Sequence, residues 1–362
     1  MDYKNPTGII RTDNVPTGTI RWKSPSNIAL IKYWGKYPVQ MPRNPSISFT
    51  LDAAFTETMV KYGPRKDDRP GIDMRFFFEG ESNPSFSARV EKYLTSLLPI
   101  FPFLKQLSLE IHSTNSFPHS SGIASSASAM SALALCLCTL EEQVLGIDLE
   151  NEEFDRKASF IARLGSGSAS RSVFSEAALW GSLNEFEGSS DEYAIPLGDA
   201  LHKTFKKYRD WILIVSKEKK SVSSTKGHEL MDTNDFSEAR YVQARRKSHF
   251  LLDHLRHGKV EEAGMIIEEE ALTLHGLMMC SQPGFILMEP ETIKLIRSIQ
   301  RFRAETGVDA YFTLDAGPNI HLLFHEKDES SVEEFITTEF PQYLEPERSI
   351  RDKVGSGPVQ LD

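Results

Sequence analysis

Apolar positions recur along this chain with two periods, and the switches between them mark out its elements. Residues 28–34 and 46–51 (Ile-Ala-Leu-Ile-Lys-Tyr-Trp and Ser-Ile-Ser-Phe-Thr-Leu) predict strands flanking a Pro-rich connection at 38–45. Strand patterns also fit 57–62 and 74–78, and 107–112 alternates apolar and polar residues. Helical spacing predicts amphipathic helices over about 84–98 and 151–164, and a helix over about 122–144 whose many Ala and Ser positions suit close packing on a sheet. Residues 1–19 read as a Pro/Gly-containing tail or a leading strand.

Near Asp210 the pattern resets. Residues 211–215 predict a buried strand, followed by helices over about 235–256, 259–279 and 290–306. Strands at 309–314 and 321–324 flank an Asp-Ala-Gly-Pro-Asn turn, and 332–339 predicts a last helix. Mixed strands and helices indicate an α+β chain of two domains, 1–205 and 206–362, with the boundary near 200–210.

Composition narrows the class. With 362 residues there is length for a large core, and the apolar and charged fractions are those of a soluble globular protein. The N-terminus lacks the basic start and apolar run of a secretory signal, and residues 124–140 look too short and Ser-rich to span a bilayer. Three cysteines make no disulfide framework, so a reduced, cytoplasmic setting fits. A net charge of −10 argues against a general nucleic-acid or membrane binder. The local distribution says more. From Asn14 to Leu51 there is no Asp or Glu, yet Arg21, Lys23, Lys32, Lys36 and Arg43 all occur there. Such a stretch suits a pocket for an anionic ligand, or else a solvated basic face.

Four segments carry candidate chemistry. Residues 117–129 (Phe-Pro-His-Ser-Ser-Gly-Ile-Ala-Ser-Ser-Ala-Ser-Ala) run from a Ser/Gly loop into a helix. A helix start offers unpaired N–H groups and the positive end of the dipole, so an anion such as a nucleotide phosphate is a natural guest. Capping an ordinary buried helix is the other use of such a loop. In Asn27–Lys36, Lys36 follows a strand and Gly35, well placed to enter a cleft. In Gly165–Arg171 a lone Arg stands among Ser and Gly, and its planar fork suits a carboxylate or phosphate. Asp315 follows an apolar strand at a turn, where an Asx-turn is the plain alternative. Together, a phosphate loop, convergent cations and one carboxylate suit phosphoryl transfer to an alcohol. The P-loop motif and the protein-kinase signatures are absent.

The 117–128 loop resembles the phosphate loop of the GHMP kinase superfamily, and the other segments are similar to the mevalonate diphosphate decarboxylase family. Its Asn-Ile-Ala-x-x-Lys-Tyr-Trp-Gly-Lys pattern is matched at Asn27–Lys36, Gly-Ser-Gly-Ser-Ala-x-Arg-Ser at Gly165–Ser172, and Asp-Ala-Gly-Pro-Asn at Asp315–Asn319. Lys219-Lys220 with Ser224-Thr225-x-Gly227, and the tail Lys353–Pro358, are also similar. The resemblance implies a GHMP kinase-like two-domain fold, with an N-terminal domain like one found in a ribosomal protein and a ferredoxin-like C-terminal domain. It also implies a magnesium-requiring homodimer. Its reaction would use ATP to phosphorylate the tertiary hydroxyl of mevalonate 5-diphosphate, then lose phosphate and carbon dioxide to give isopentenyl diphosphate.

By the same resemblance Asp315, Arg171 and Lys36 form the catalytic set. Asp315 would handle the hydroxyl proton and Arg171 hold the substrate carboxylate with Asn27. Tyr33, Lys36, Ser166, Ser168 and Arg89 would bind the diphosphate end or neighbouring oxygens. Ser120, Ser121, Gly122, Ser125, Ser126 and Ser224 would surround ATP, with Ser126 reaching magnesium. Two departures stand out: His119 within the loop, and Phe77-Phe-Glu-Gly80 in place of the family's Trp-Leu-Asn-Gly. The second leaves open a related enzyme acting on mevalonate 5-phosphate, and a GHMP kinase that does not decarboxylate is the more distant alternative. His275 matches a family His and reads as structural.

Overall fold

The protein, seen as a computed structural model, is described over residues 3–11, 15–66, 69–117, 125–218 and 222–362. The chain opens with β1 (Gly18–Ala29) and a small hairpin of β2 (Lys36–Tyr37) and β3 (Met41–Pro42). There follow β4 (Ser46–Pro64), β5 (Asp73–Phe78), β6 (Glu81–Ser82), α1 (Pro84–Ser96), β7 (Leu107–Asn115), α2 (Ser125–Leu145), α3 (Asn151–Gly165), β8 (Ala177–Trp180) and β9 (Ala194–Pro196). The later part has α4 (Lys203–Lys206), β10 (Tyr208–Leu213), α5 (Ser224–Leu230), α6 (Ser237–His257), α7 (Val260–Met279), α8 (Pro290–Thr306), β11 (Ala310–Thr313), β12 (Ile320–His325), α9 (Glu329–Glu339), β13 (Ser349–Lys353) and β14 (Val359–Leu361).

Two sheets organise these elements. The first has the order β14-β1-β4-β7-β5-β6, with β8 pairing β4 and β9 pairing β8. β5 and β7 are parallel, so the chain must cross over between them, and α1 supplies the crossover. The second sheet is antiparallel in the order β11-β12-β10-β13. The chain's last strand returns to the first sheet, beside β1.

Small side chains explain how α2 lies on the first sheet. Ser131 meets Ser24 of β1 and Ser128 meets Thr56 of β4, each pair 2.7 Å apart between hydroxyl oxygens. These hydroxyls satisfy one another where water is excluded. α2 is long and apolar enough to cross a bilayer by length and composition, contrary to the reading of 124–140 as too short. Its buried residues, Leu133, Leu135, Cys136, Leu137 and Leu140 among them, belong instead to the core under this sheet. A second core lies between α8, α9 and the second sheet. A third joins the halves: Ile28, Ile31, Ile47 and Phe49 pack with Ile212, Ala244, Leu251 and Ile267. The candidate site borders this seam.

Three expectations need correction. The strand expected over 28–34 lies earlier, and β1 ends at Ala29. Residues 20–26 (Ile-Arg-Trp-Lys-Ser-Pro-Ser) hid it behind a proline and basic residues, and the register shifts between Pro25 and Asn27. The strands at 46–51 and 57–62 are one long strand, because Asp52–Thr56 continue it. The connection at 38–45 holds the β2–β3 hairpin.

Candidate active site

Beyond β1 the backbone leaves the sheet, and Leu30 and Ile31 donate to the carbonyl of Ile47. The next residue, Lys32, is 1% exposed. Its ammonium donates to the carbonyl of Ala29 at 2.6 Å and to Asp315 Oδ1 at 2.9 Å. Burial pushes the Lys32 ammonium below its usual range, and the facing Asp315 carboxylate opposes that. Asp315 follows β11, and its carbonyl accepts from Gly317 N–H at 2.7 Å. Its side chain keeps 29% exposure. Lys32 is the residue the sequence reading passed over in favour of Lys36. The signal was present: a lysine interrupting the apolar run 28–34.

Opposite this pair lies the turn after α3. Residues Gly167–Val173 form a short 3-10 helix that buries Arg171. Gly167 is required, since a Cβ there would stand 2.7 Å from Trp180 and 2.9 Å from the Tyr33 hydroxyl. Arg171 donates to Asn27 Oδ1 at 3.1 and 3.3 Å and to Ser46 Oγ at 2.6 Å. Asn27 in turn donates to Ser172 Oγ at 2.8 Å and to the Ser168 carbonyl at 3.1 Å. Among the described residues Arg171 has no carboxylate within ion-pair distance. Burial pulls its guanidinium down to about 10, and Asp315 acts against that fall. The Tyr33 hydroxyl is buried with no hydrogen-bond partner among the described residues. Ser166 links Ser126 at the start of α2 (3.2 Å) with Ser168 (3.4 Å). Asn27, Tyr33, Ser126, Ser166, Ser168, Arg171 and Asp315 therefore line one region, with Lys32 among them.

Other candidates sit further out. Lys36 lies in β2, half-buried, and its ammonium donates to Gln40 Oε1 at 3.0 Å. Burial lowers the Lys36 pKa, and Glu229 opposes the shift. The imidazole of His228 packs beside Tyr33 and Trp34 and accepts the Gly35 N–H at 3.0 Å. Ser224 is exposed at the first turn of α5, and Ser125 opens α2. Arg89 is exposed on α1, one turn before Tyr93, whose ring abuts Gly165. Ser120, Ser121, Gly122 and His119, like Lys219 and Lys220, lie outside the described residues.

This arrangement has known counterparts. Residues 24–194 match the model of the diphosphomevalonate decarboxylase-like N-terminal domain, and residues 211–359 that of the mevalonate 5-diphosphate decarboxylase C-terminal domain. The chain belongs to the diphosphomevalonate decarboxylase family. The diphosphomevalonate decarboxylase of Saccharomyces cerevisiae is 29% identical, covering 86% of this chain and 79% of that protein. The phosphomevalonate decarboxylase of Haloferax volcanii is 27% identical over 85% of this chain and 88% of its own length. The Staphylococcus aureus mevalonate diphosphate decarboxylase crystal structure superposes with a TM-score of 0.81 at 28% identity, covering 96% of this chain and 99% of that one. A solved complex of MDDEF with MVAPP, AMPPCP and magnesium gives 0.79 at 27% identity, covering 96% and 100%. The fold is thus the GHMP kinase-like fold of these decarboxylases.

Proposed function

We propose that this chain catalyses the ATP-dependent decarboxylation of mevalonate 5-diphosphate to isopentenyl diphosphate. The observation that carries this reading is the buried Arg171, which among the described residues has no carboxylate within ion-pair distance yet lies near enough to the Lys32–Asp315 pair to feel both charges. A buried guanidinium without a counter-ion is costly unless an anion arrives with the ligand. The substrate carboxylate is that anion, held by Arg171 with Asn27 orienting the fork. Asp315 takes or orients the proton of the tertiary hydroxyl as its oxygen attacks the γ-phosphorus of ATP and ADP leaves. Lys32 holds the Asp315 carboxylate in place through its ammonium. The C–O bond to the new phosphate then breaks together with the C–C bond to the carboxylate, whose electrons form the alkene as carbon dioxide departs.

Tyr33, Ser166, Ser168, Lys36 and Arg89 are assigned to the diphosphate end, and Ser120, Ser121, Gly122, Ser125 and Ser224 to ATP. Among the described residues there is no cluster of three or more His, Cys, Asp or Glu side chains able to hold a metal. Magnesium retains waters and takes few protein oxygens beside substrate phosphates. The Ser126 hydroxyl, exposed beside Ser166, fits such a donor set. Bound there with ATP, magnesium supplies charge neutralisation on the phosphates. We assign residues 1–205 and 206–362 to the two domains and a cytoplasmic setting to the enzyme. A homodimer is supported by Met265, Leu272 and Met279, exposed apolar residues seven apart on α7. Analytical ultracentrifugation of Leu272→Glu, expected to be monomeric, tests it.

Incubation with ATP, magnesium and mevalonate 5-diphosphate or 5-phosphate tests the activity. Equal ADP and carbon dioxide from the diphosphate support the reading. A clear preference for the monophosphate shifts the substrate, an outcome the Phe77–Gly80 corner makes worth measuring, since Glu79 Oε1 accepts the Asn115 N–H there. ADP without carbon dioxide would make the protein a plain kinase.

A further inference from the structure

Lys32 and Asp315 come from opposite halves of the chain, yet their charged atoms meet at 2.9 Å. Neither segment is a regular strand at that point, so something else must set the separation. α7 touches both.

Along one face, α7 is registered on β11, the strand that leads to Asp315. Gly264 lets the helix lie against Tyr311, since a Cβ there would stand 2.4 Å from that ring. One turn on, Glu268 Oε1 accepts the Phe312 N–H at 3.2 Å. Two further turns on, His275 Nε2 donates to the Asp315 carbonyl at 3.1 Å. From the same helix, Glu270 reaches the other half. Its Oε2 accepts the Lys32 N–H at 3.0 Å. Arg240 of α6 binds both Glu270 oxygens at 2.6 Å and donates to the Lys32 carbonyl at 3.1 Å. The two sides of the Lys32 residue's backbone are thus held by the two partners of one ion pair, whose side chains are 1% and 0% exposed. A fully buried pair gains little stability over apolar residues, which directs attention to what else it holds.

We propose that α7 is a spacer that fixes the Lys32–Asp315 geometry, with Glu270 and Arg240 positioning the lysine backbone and His275 positioning the aspartate. The inference rests on the reading of Asp315, held by Lys32, as the group that handles the hydroxyl proton. These three are positioning residues, since their contacts are to backbone rather than to reacting atoms.

Two sets of variants test it. Arg240→Met with Glu270→Met replaces the buried pair by apolar side chains and removes both holds on Lys32 while leaving no buried charge from the pair. His275→Leu removes the hold on Asp315, and His275→Gln restores a donor at a similar position. The double variant and His275→Leu are expected to lose about tenfold or more in kcat, with KM for ATP and for the phosphorylated mevalonate within about twofold, because small misplacement of reacting groups is costly. His275→Gln should recover most of the loss. Crystal structures should show the Lys32 Nζ to Asp315 Oδ1 distance beyond hydrogen-bond range in the first two variants. Folded variants with that distance and kcat unchanged overturn the proposal, as does an equal loss in His275→Leu and His275→Gln. If the double variant does not fold, the His275 pair decides. An unsubstituted protein that turns over no mevalonate phosphate would count against the proposed function instead, and the crystallographic distance still decides the role of α7.

Discussion

Arg171 and Arg240 are buried to the same degree, 2% exposed each. Their company differs. Arg240 has Glu270 in a two-pronged ion pair, with Lys247 Nζ 3.3 Å from the same carboxylate. Arg171 has an amide oxygen and a hydroxyl. A neutralised buried cation is finished structure, whereas one held by neutral acceptors still has unspent attraction for an anion. The difference separates scaffold from site within one seam.

The two carboxylates near these arginines offer the largest test of that separation. Asp315→Asn should lower turnover by about two to four orders of magnitude, the range for losing a general acid–base group, while nucleotide affinity stays near normal. Near-normal turnover would remove Asp315 from the chemistry. Glu270→Gln should act through stability, costing roughly 3–5 kcal/mol in denaturant unfolding because Arg240 is left without its counter-ion. A stability loss at Asp315 equal to that at Glu270 would erase the distinction.

The arginines themselves sharpen it. Arg240→Met should cost less, roughly 1.5–3 kcal/mol for the lost charged hydrogen bonds, since Lys247 Nζ stays 3.3 Å from the Glu270 carboxylate. Arg171→Met should cost about 1 kcal/mol or less, since relief of a buried charge offsets three lost hydrogen bonds to neutral acceptors. Equal losses would mean that Arg171 has a counter-ion in the unliganded protein. Arg171→Lys should then lower kcat/KM about a hundredfold, because an ammonium lacks the fork that grips a carboxylate. A small loss would make Arg171 structural.

The scaffold side of this comparison was the harder part to read from sequence. Arg171 and Asp315 stand out from their local pattern and Asn27 from the family motif, and the helices α6, α7 and α8 follow from their apolar spacing. Glu270 and Arg240 look like surface residues on helices otherwise rich in charge, and nothing local marks them as fully buried. Their partner is a backbone 208 or more positions away, so only the fold brings them together. Lys32 was hidden for a related reason. A lysine in an apolar run is read as a strand residue with a solvated tip until Asp315, 283 positions on, is seen to meet it. Pro25 and the register shift beside it break the alternation of β1, so the sequence pattern alone places that strand too late.

His228 carries the smallest of these tests and belongs to neither class, since its buried ring is neutral. The imidazole lies 4.4 Å from the Tyr33 ring and 4.8 Å from Trp34, and Nδ1 must be unprotonated to accept the Gly35 N–H. Burial, helped by the nearby Lys36 ammonium, holds its pKa down to about 3. In the unfolded chain the value is about 6.5. Between these two values the unfolded state binds the proton that the folded state refuses, so stability rises with pH through this window. The contribution is complete above about pH 6.5 and is lost as pH falls, at roughly 1.4 kcal/mol per unit. His228→Asn keeps an acceptor for Gly35 without the titration. Denaturant unfolding at pH 7 and pH 5 should therefore show a steeper loss in the unsubstituted protein than in this variant. Parallel losses would mean that His228 protonates in place, and the Tyr33–Gly35 segment would then have to be anchored by Trp34 and the β2–β3 hairpin instead.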